Sequence, residues 1–205
     1  MHRLSSSTML VLVLACADPR ADTAEASWGA SMKSELLDRV AADQAARERM
    51  VSGMRAGSAP DSATIADLSA VDSANTAWLQ DMIVRHGWPD SATVGDDGAS
   101  AAFLLVQHAD RDTAFQARVL PLLESAHRRG QAEGQHVALL TDRLARARGE
   151  PQVYGTQAAL RDGRLAVDPI RDSSGVDARR AAMGLPPLAE YLRVLDSIYV
   201  GRPAP

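Results

Sequence analysis

The chain has 205 residues, of which 46% are hydrophobic and 23% charged, with a formal net charge of −4. That length and composition allow one globular domain with a sizeable core. The mild acidity, without a basic stripe interleaved with aromatics, argues against nucleic acid as a partner. Only 4% of the chain is aromatic, and its wealth of Ala, Leu, Arg, Asp and Gln favours helices over sheet.

Residues 1–15 read as a signal peptide. Met1-His2-Arg3 is a weakly basic start, and Met9-Leu10-Val11-Leu12-Val13-Leu14-Ala15 is a short apolar run ending at a small residue. That run is too short to span a bilayer. Cys16 follows it and is the single cysteine of the chain, which rules out an internal disulfide. Val13-Leu14-Ala15-Cys16 resembles the bacterial lipobox, which implies lipid on Cys16 and a membrane as partner. A plain signal peptide cut nearby is the alternative. Residues 16–30, rich in Ala, Asp, Thr and Ser, are expected to be a flexible tether. Residues 31–200 are expected to form one helical domain.

The first helix is expected over 32–50, with Leu36, Leu37, Val40 and Ala41 as its apolar stripe. Gly53, Gly57 and Pro60 mark a loop. A second helix starts after Asp61 or Ser62, carries Leu68, Val71, Trp78, Leu79, Met82 and Ile83, and ends at Gly87. Residues 90–98 read as a loop. The third helix, 100–109, is apolar almost all round and should be central. The fourth begins near Asp112, with Thr113 and Gln116 at capping-box spacing and Pro121 bending it. A fifth covers 135–148. Asp162-Gly163 then predicts a hairpin between 152–160 and 164–167. Asp177 can cap a short helix to Met183, and Pro187 opens a last helix, 188–199. The expected architecture is mainly α: six to seven helices with one small β-hairpin near Gln152–Val167.

Several polar residues stand on apolar faces. Gln107 lies over Phe103 and Leu104, and His108 over Leu104 and Leu105, because side chains three and four apart share a helix face. Gln44 continues the stripe of Leu37 and Val40, beside an Asp43–Arg47 pair. Asn75 lies between Val71 and Trp78. Asp142 sits with Ala138 and Ala145, followed by Gln152-Val153-Tyr154-Gly155-Thr156-Gln157. A buried polar group without a partner costs about 1–3 kcal/mol, so these groups are expected to meet in one polar pocket. His86 and His127 suit helix C-termini, and His136 is expected to face solvent. The patterns His-Glu-x-x-His, Gly-x-Ser-x-Gly and the phosphate-cradling glycine loop are missing. No Cys/His ligand set stands at metal spacing, so neither a metal nor a cofactor is expected.

Together, Asp43-Gln44…Arg47, Gly87-Trp88-Pro89, Val94-Gly95, Gln107-His108-Ala109-Asp110, Leu140…Asp142-Arg143, Tyr154-Gly155-Thr156-Gln157, Val176-Asp177…Arg179-Arg180 and Gly184-Leu185…Glu190-Tyr191 resemble a bacterial family of domains of unknown function. The resemblance spans Leu36 to Leu192. It implies landmarks, and no reaction.

Two functions follow. One is an exported, lipid-anchored envelope protein that binds a small ligand or another envelope protein, or uses its polar network to fix helix register. The other is a hydrolase-like enzyme with His108 as general acid or base, oriented by Asp142 or Asp43. Arg47 or Arg143 would hold an anionic group, and Gln44, Asn75, Trp88, Gln107, Tyr154 and Gln157 would complete the binding set. An open cleft reaching His108 favours a ligand or substrate site; a sealed network favours structure.

Overall fold

The computed structural model describes residues 19–55, 57, 59–161 and 164–199. Cys16, residues 1–15, read as a signal peptide, and Asp162-Gly163 lie outside them. Among the described residues are seven α-helices and a two-stranded sheet. These are α1 (Pro19–Arg55), α2 (Ser62–His86), α3 (Ser91–His108), α4 (Thr113–Arg128), α5 (Gly134–Ala147), β1 (Ala158–Arg161), β2 (Arg164–Val167), a 3-10 turn (Ser173–Gly175), α6 (Val176–Ala182) and α7 (Leu188–Tyr199). The fold is mainly α, with one small antiparallel hairpin.

The core is built on α3. Ala102 and Val106 are fully buried, and Phe103 and Leu105 nearly so. α1 lies along α2 and α3, while α4 pairs with α5. Leu36, Leu79, Leu123 and Leu140 point into the same core from α1, α2, α4 and α5. Each such leucine contributes about 1.5–3 kcal/mol through burial.

α1 departs most from expectation. Residues 19–30, read as tether, are helical. The segment's Ala and Glu are good helix formers, and packing holds its later part. A Cβ on Gly29 would stand 2.4 Å from the Thr93 carbonyl oxygen of α3, so glycine permits the helices to touch there. The Trp28 ring lies 4.7 Å from that of His86. The stripe is also one residue out of phase. Leu36 is fully buried and Leu37 is 40% exposed. The inward line is therefore Leu36, Val40, Asp43 and Arg47, and it leaves Gln44 outside.

Smaller differences have local causes. Residues 91–98 belong to α3: Asp90 accepts from the Thr93 N–H at 3.3 Å as a cap, and Gly95, with φ 72°, breaks the helix without ending it. The cap of α4 is Asp112, whose carboxylate accepts from the Phe115 N–H at 2.8 Å. The Thr113–Gln116 capping box does not form, because Gln116 is fully buried and donates to the Val106 carbonyl at 3.0 Å. Asp177 does not cap α6; it accepts from the Leu188 N–H at the start of α7. The hairpin pairs Ala158 with Val167 through Arg161 with Arg164, so β1 is shorter than expected.

His136 is buried, not solvent-facing. It is 9% exposed, and its ring stacks on Phe103 at 4.1 Å. Burial pushes its pKa below the ordinary imidazole value, and the Glu133 charge opposes this without cancelling it. The unfolded chain thus binds this proton more tightly. Stability is unaffected above about pH 6.5 and falls as the pH drops below it. Between about pH 7.5 and 5.5 the wild type should lose more thermal stability than His136→Phe. Parallel melting curves for the two proteins would exclude His136 as the cause.

Candidate functional site

His108 is the last residue of α3. The helix places its ring between α1 and α2. His108 Nδ1 lies 2.8 Å from Asp43 Oδ2 and 3.0 Å from Arg47 Nε. Asp43 is fully buried on α1. Its Oδ2 also accepts from Gln44 Nε2 at 2.8 Å and from Arg47 Nε at 3.3 Å. Arg47 Nη2 reaches Asp72 Oδ1 on α2 at 2.6 Å. One helical turn before Asp43, Arg39 Nη1 donates to Asn75 Oδ1 at 3.2 Å. The cluster is thus a row of α1 residues (Arg39, Asp43, Arg47) facing Asn75 and Asp72, with His108 closing one end.

The electrostatics follow from that row. Burial alone would raise the Asp43 carboxyl. The His108 hydrogen bond and the charges of His108 and Arg47 outweigh it and hold the carboxyl below the ordinary range. Burial raises the Asp72 carboxyl, and the nearby Asp43 charge adds to this against the pull of Arg47. Asp43 is therefore the firm anion of the pair. His108 Nδ1 meets both a donor, Arg47 Nε, and an acceptor, Asp43 Oδ2. Either neutral tautomer has a partner, and Nε2 carries no hydrogen bond among the described residues.

The cluster is not sealed. His108, 15% exposed at its side chain, forms part of the wall of a cleft of about 300 Å³. Asp72, Thr76, Gln80, Asp110 and Arg111 line it as well. The Thr76 hydroxyl donates to the Asp72 carbonyl of its own helix at 2.7 Å, and so is engaged.

Asp142 does not join His108. It is fully buried on α5 and organises the chain that follows. Its two oxygens accept from the N–H groups of Val153 at 2.7 Å, Tyr154 at 3.1 Å and Thr156 at 2.9 Å, and from the Thr156 hydroxyl at 3.0 Å. Four donors saturate it, leaving nothing for a proton-transfer role. Gln152, also fully buried, closes the same loop by accepting from the Gln157 N–H and donating to the Gln157 and Asp168 carbonyls. Arg180 Nη1 holds the Tyr154 carbonyl at 2.8 Å, and the Tyr191 hydroxyl donates to the Thr156 carbonyl at 2.9 Å.

The single expected pocket is therefore two places. Gln107 and His108 are neighbours in sequence, so their side chains leave the helix about 100° apart. His108 meets Arg47 and Asp43 on one side. Gln107 faces a second depression, of about 410 Å³, shared with Arg143, Thr156 and Gln157. Arg143 pairs with Asp110. Tyr154 acts through its backbone; burial, with the charges of Asp142 and Glu124, holds its hydroxyl above the ordinary value. Trp88 packs half-buried against the core and lines none of these depressions. Asn75 stands beside the His108 cluster, and Gln44 touches it from outside. Of the two carboxylates expected to orient His108, Asp43 is the one beside it; its inward place on α1 follows from Leu36 plus seven and Val40 plus three, where the stripe was expected to continue through Gln44. Asp72 carried no comparable signal. Among the described residues no group of three His, Cys, Asp or Glu could hold a metal ion.

A helical domain with a carboxylate–imidazole pair at a cleft and a separate carboxylate-stapled loop is what this fold defines. Residues 30–202 match the Family of unknown function (DUF6624), and the chain belongs to that family. No curated protein and no solved structure matches the chain.

Proposed function

We propose that the cleft above His108 is a small-molecule site with hydrolase-like chemistry, in which His108 exchanges a proton with a bound water through Nε2. The observation that carries this reading is the fully buried Asp43 fixing His108 Nδ1 at 2.8 Å while the same ring borders an open cleft. A buried anion behind an imidazole orients the ring and stabilises the imidazolium formed when it takes a proton. Arg47, donating toward Nδ1, supports the opposite neutral tautomer, whose Nε2–H can donate a hydrogen bond to a bound ligand; the acid in a proton transfer is the imidazolium, with Nδ1–H on Asp43. The hydroxyls that line the cleft among the described residues, of Ser73 and Thr76, are engaged with the Ser69 and Asp72 carbonyls of their own helix at 2.7 Å, so water is the attacking group in this reading.

A panel of para-nitrophenyl esters and phosphate esters tests this. His108→Gln and Asp43→Asn should each lower kcat/KM by about 100-fold or more, with far-UV circular dichroism unchanged. Turnover that survives His108→Gln, or no saturable turnover across the panel, would leave only a ligand-binding or register-fixing role for the cluster.

We further propose that the protein is exported and anchored in the cell envelope by lipid on Cys16, with the domain facing an envelope ligand or protein. The apolar run ending in Val13-Leu14-Ala15 before the single cysteine supports this. Cys16→Ser should move the protein out of the membrane fraction and abolish labelling by a fatty-acid analogue. Membrane retention without labelling would refute lipidation.

A further inference from the structure

We infer that the depression beside Gln107 is a second binding site, for an amphipathic anion whose carboxylate or phosphate head is received by Arg143. Its volume of about 410 Å³ falls within the range of small-molecule sites. Its lining is divided. Leu139, Leu165 and Leu195 supply an apolar wall, Gln107 and Gln157 supply amides, and Arg143 is the one charged side chain among the described lining residues. One cation against an apolar wall selects a ligand with one anionic group and an apolar body. A neutral lipid would leave the guanidinium with only the exposed Asp110 as its counter-charge, and a polyanion would find no second cation in the described lining.

The arginine is available for such a ligand. Its present partner is Asp110, bonded through Nη1 alone, and the Asp110 side chain is 62% exposed. Exposed pairs of this kind contribute about 0–1 kcal/mol. Arg143 Nε is buried without a partner, so the guanidinium fork is only partly used. An oxyanion received by this guanidinium accepts charge-assisted hydrogen bonds, each roughly twice as strong as a neutral one. Arg146 stands one turn further along α5. Arg143 and Arg146 both line a neighbouring depression that also holds Asp110, and Arg146 is itself paired with Asp168 at 3.2 Å, which leaves Arg143 as the cation for an incoming anion.

The inference does not depend on the reading of His108, and its test separates them. Octanoate, octyl phosphate, octanol and acetate are titrated calorimetrically into the full chain. At least one of the two amphipathic anions should bind saturably, and whichever binds tighter identifies the head group preferred. Octanol should bind about tenfold more weakly or worse, and acetate should give no saturable heat. Arg143→Gln should bring the anion down to the level of octanol. Asp110→Asn, which removes an exposed competitor, should tighten anion binding several-fold, and His108→Gln should leave it unchanged. Octanol binding as tightly as the anions, or saturation by neither anion, would overturn the site. If Arg143→Gln fails to fold, Asp110→Asn decides: affinity unchanged or weakened overturns the assignment to Arg143.

Discussion

Asp142→Asn is expected to destabilise the protein by about 3–5 kcal/mol, although it changes the side-chain volume hardly at all. The carboxylate accepts four hydrogen bonds in a place without solvent. Hydrogen bonds to a charged acceptor contribute about 1.5–3 kcal/mol each, though not additively. An amide keeps one acceptor oxygen. Its NH₂ must then face buried donors from Tyr154 or Thr156, where two N–H groups oppose each other. Loss of those partners also frees the carbonyls of Tyr154 and Thr156 to drift from Arg180 and Tyr191. Urea unfolding with both proteins fitted to a common slope measures the difference. A loss under about 1 kcal/mol would mean that the loop holds its shape without the carboxylate.

Gly155→Val should cost about 3–4 kcal/mol, from two separate causes. The residue has φ +69°, where a β-branched side chain is strained by about 1–2 kcal/mol. A Cβ there would also lie 2.6 Å from Ile170 Cδ1 and 3.1 Å from Leu188 Cδ1. Overpacking of that kind costs about 1–3 kcal/mol. Gly155→Ala meets the same contacts with less bulk and should fall between wild type and valine. Thermal melting of the three proteins gives the order, and a valine variant melting within about a degree of wild type would show that the backbone relaxes freely.

The sequence was legible where one periodicity governed a whole element. The apolar third helix did become the core, and Leu188–Tyr199 matches the expected last helix. It was less legible where two readings shared the same residues. Leu36 and Leu37 were both placed on the stripe; counting seven from Leu37 put Gln44 inward, whereas counting seven from Leu36 reaches the buried Asp43, which was expected only beside the stripe. Gly95 and Gly98 suggested a loop, yet one bends a helix and the other sits within it. The polar residues were rightly seen as needing partners, but helix spacing does not say from which direction a partner comes. Asp142 resembled a catalytic group because it was acidic on a small-residue face. Its partners proved to be backbone N–H groups, which no residue pattern displays. Of the polar set singled out in the chain, much of the Gln152–Gln157 stretch, with Arg179, Arg180 and Tyr191, serves to fold one loop. The part left for chemistry is smaller: Asp43, Arg47 and His108.

The stapled loop has a consequence for motion. Val153, Tyr154 and Thr156 lie in irregular backbone, where amides ordinarily exchange with water at low free-energy cost. Here their N–H groups end on a carboxylate carried by a core helix. They cannot be released one at a time into solvent, because each opening exposes part of a buried charge. The segment from 152 to 157 and α5 are therefore expected to open as a single cooperative unit: coil by geometry, with amides that should exchange at the slow rate of the core.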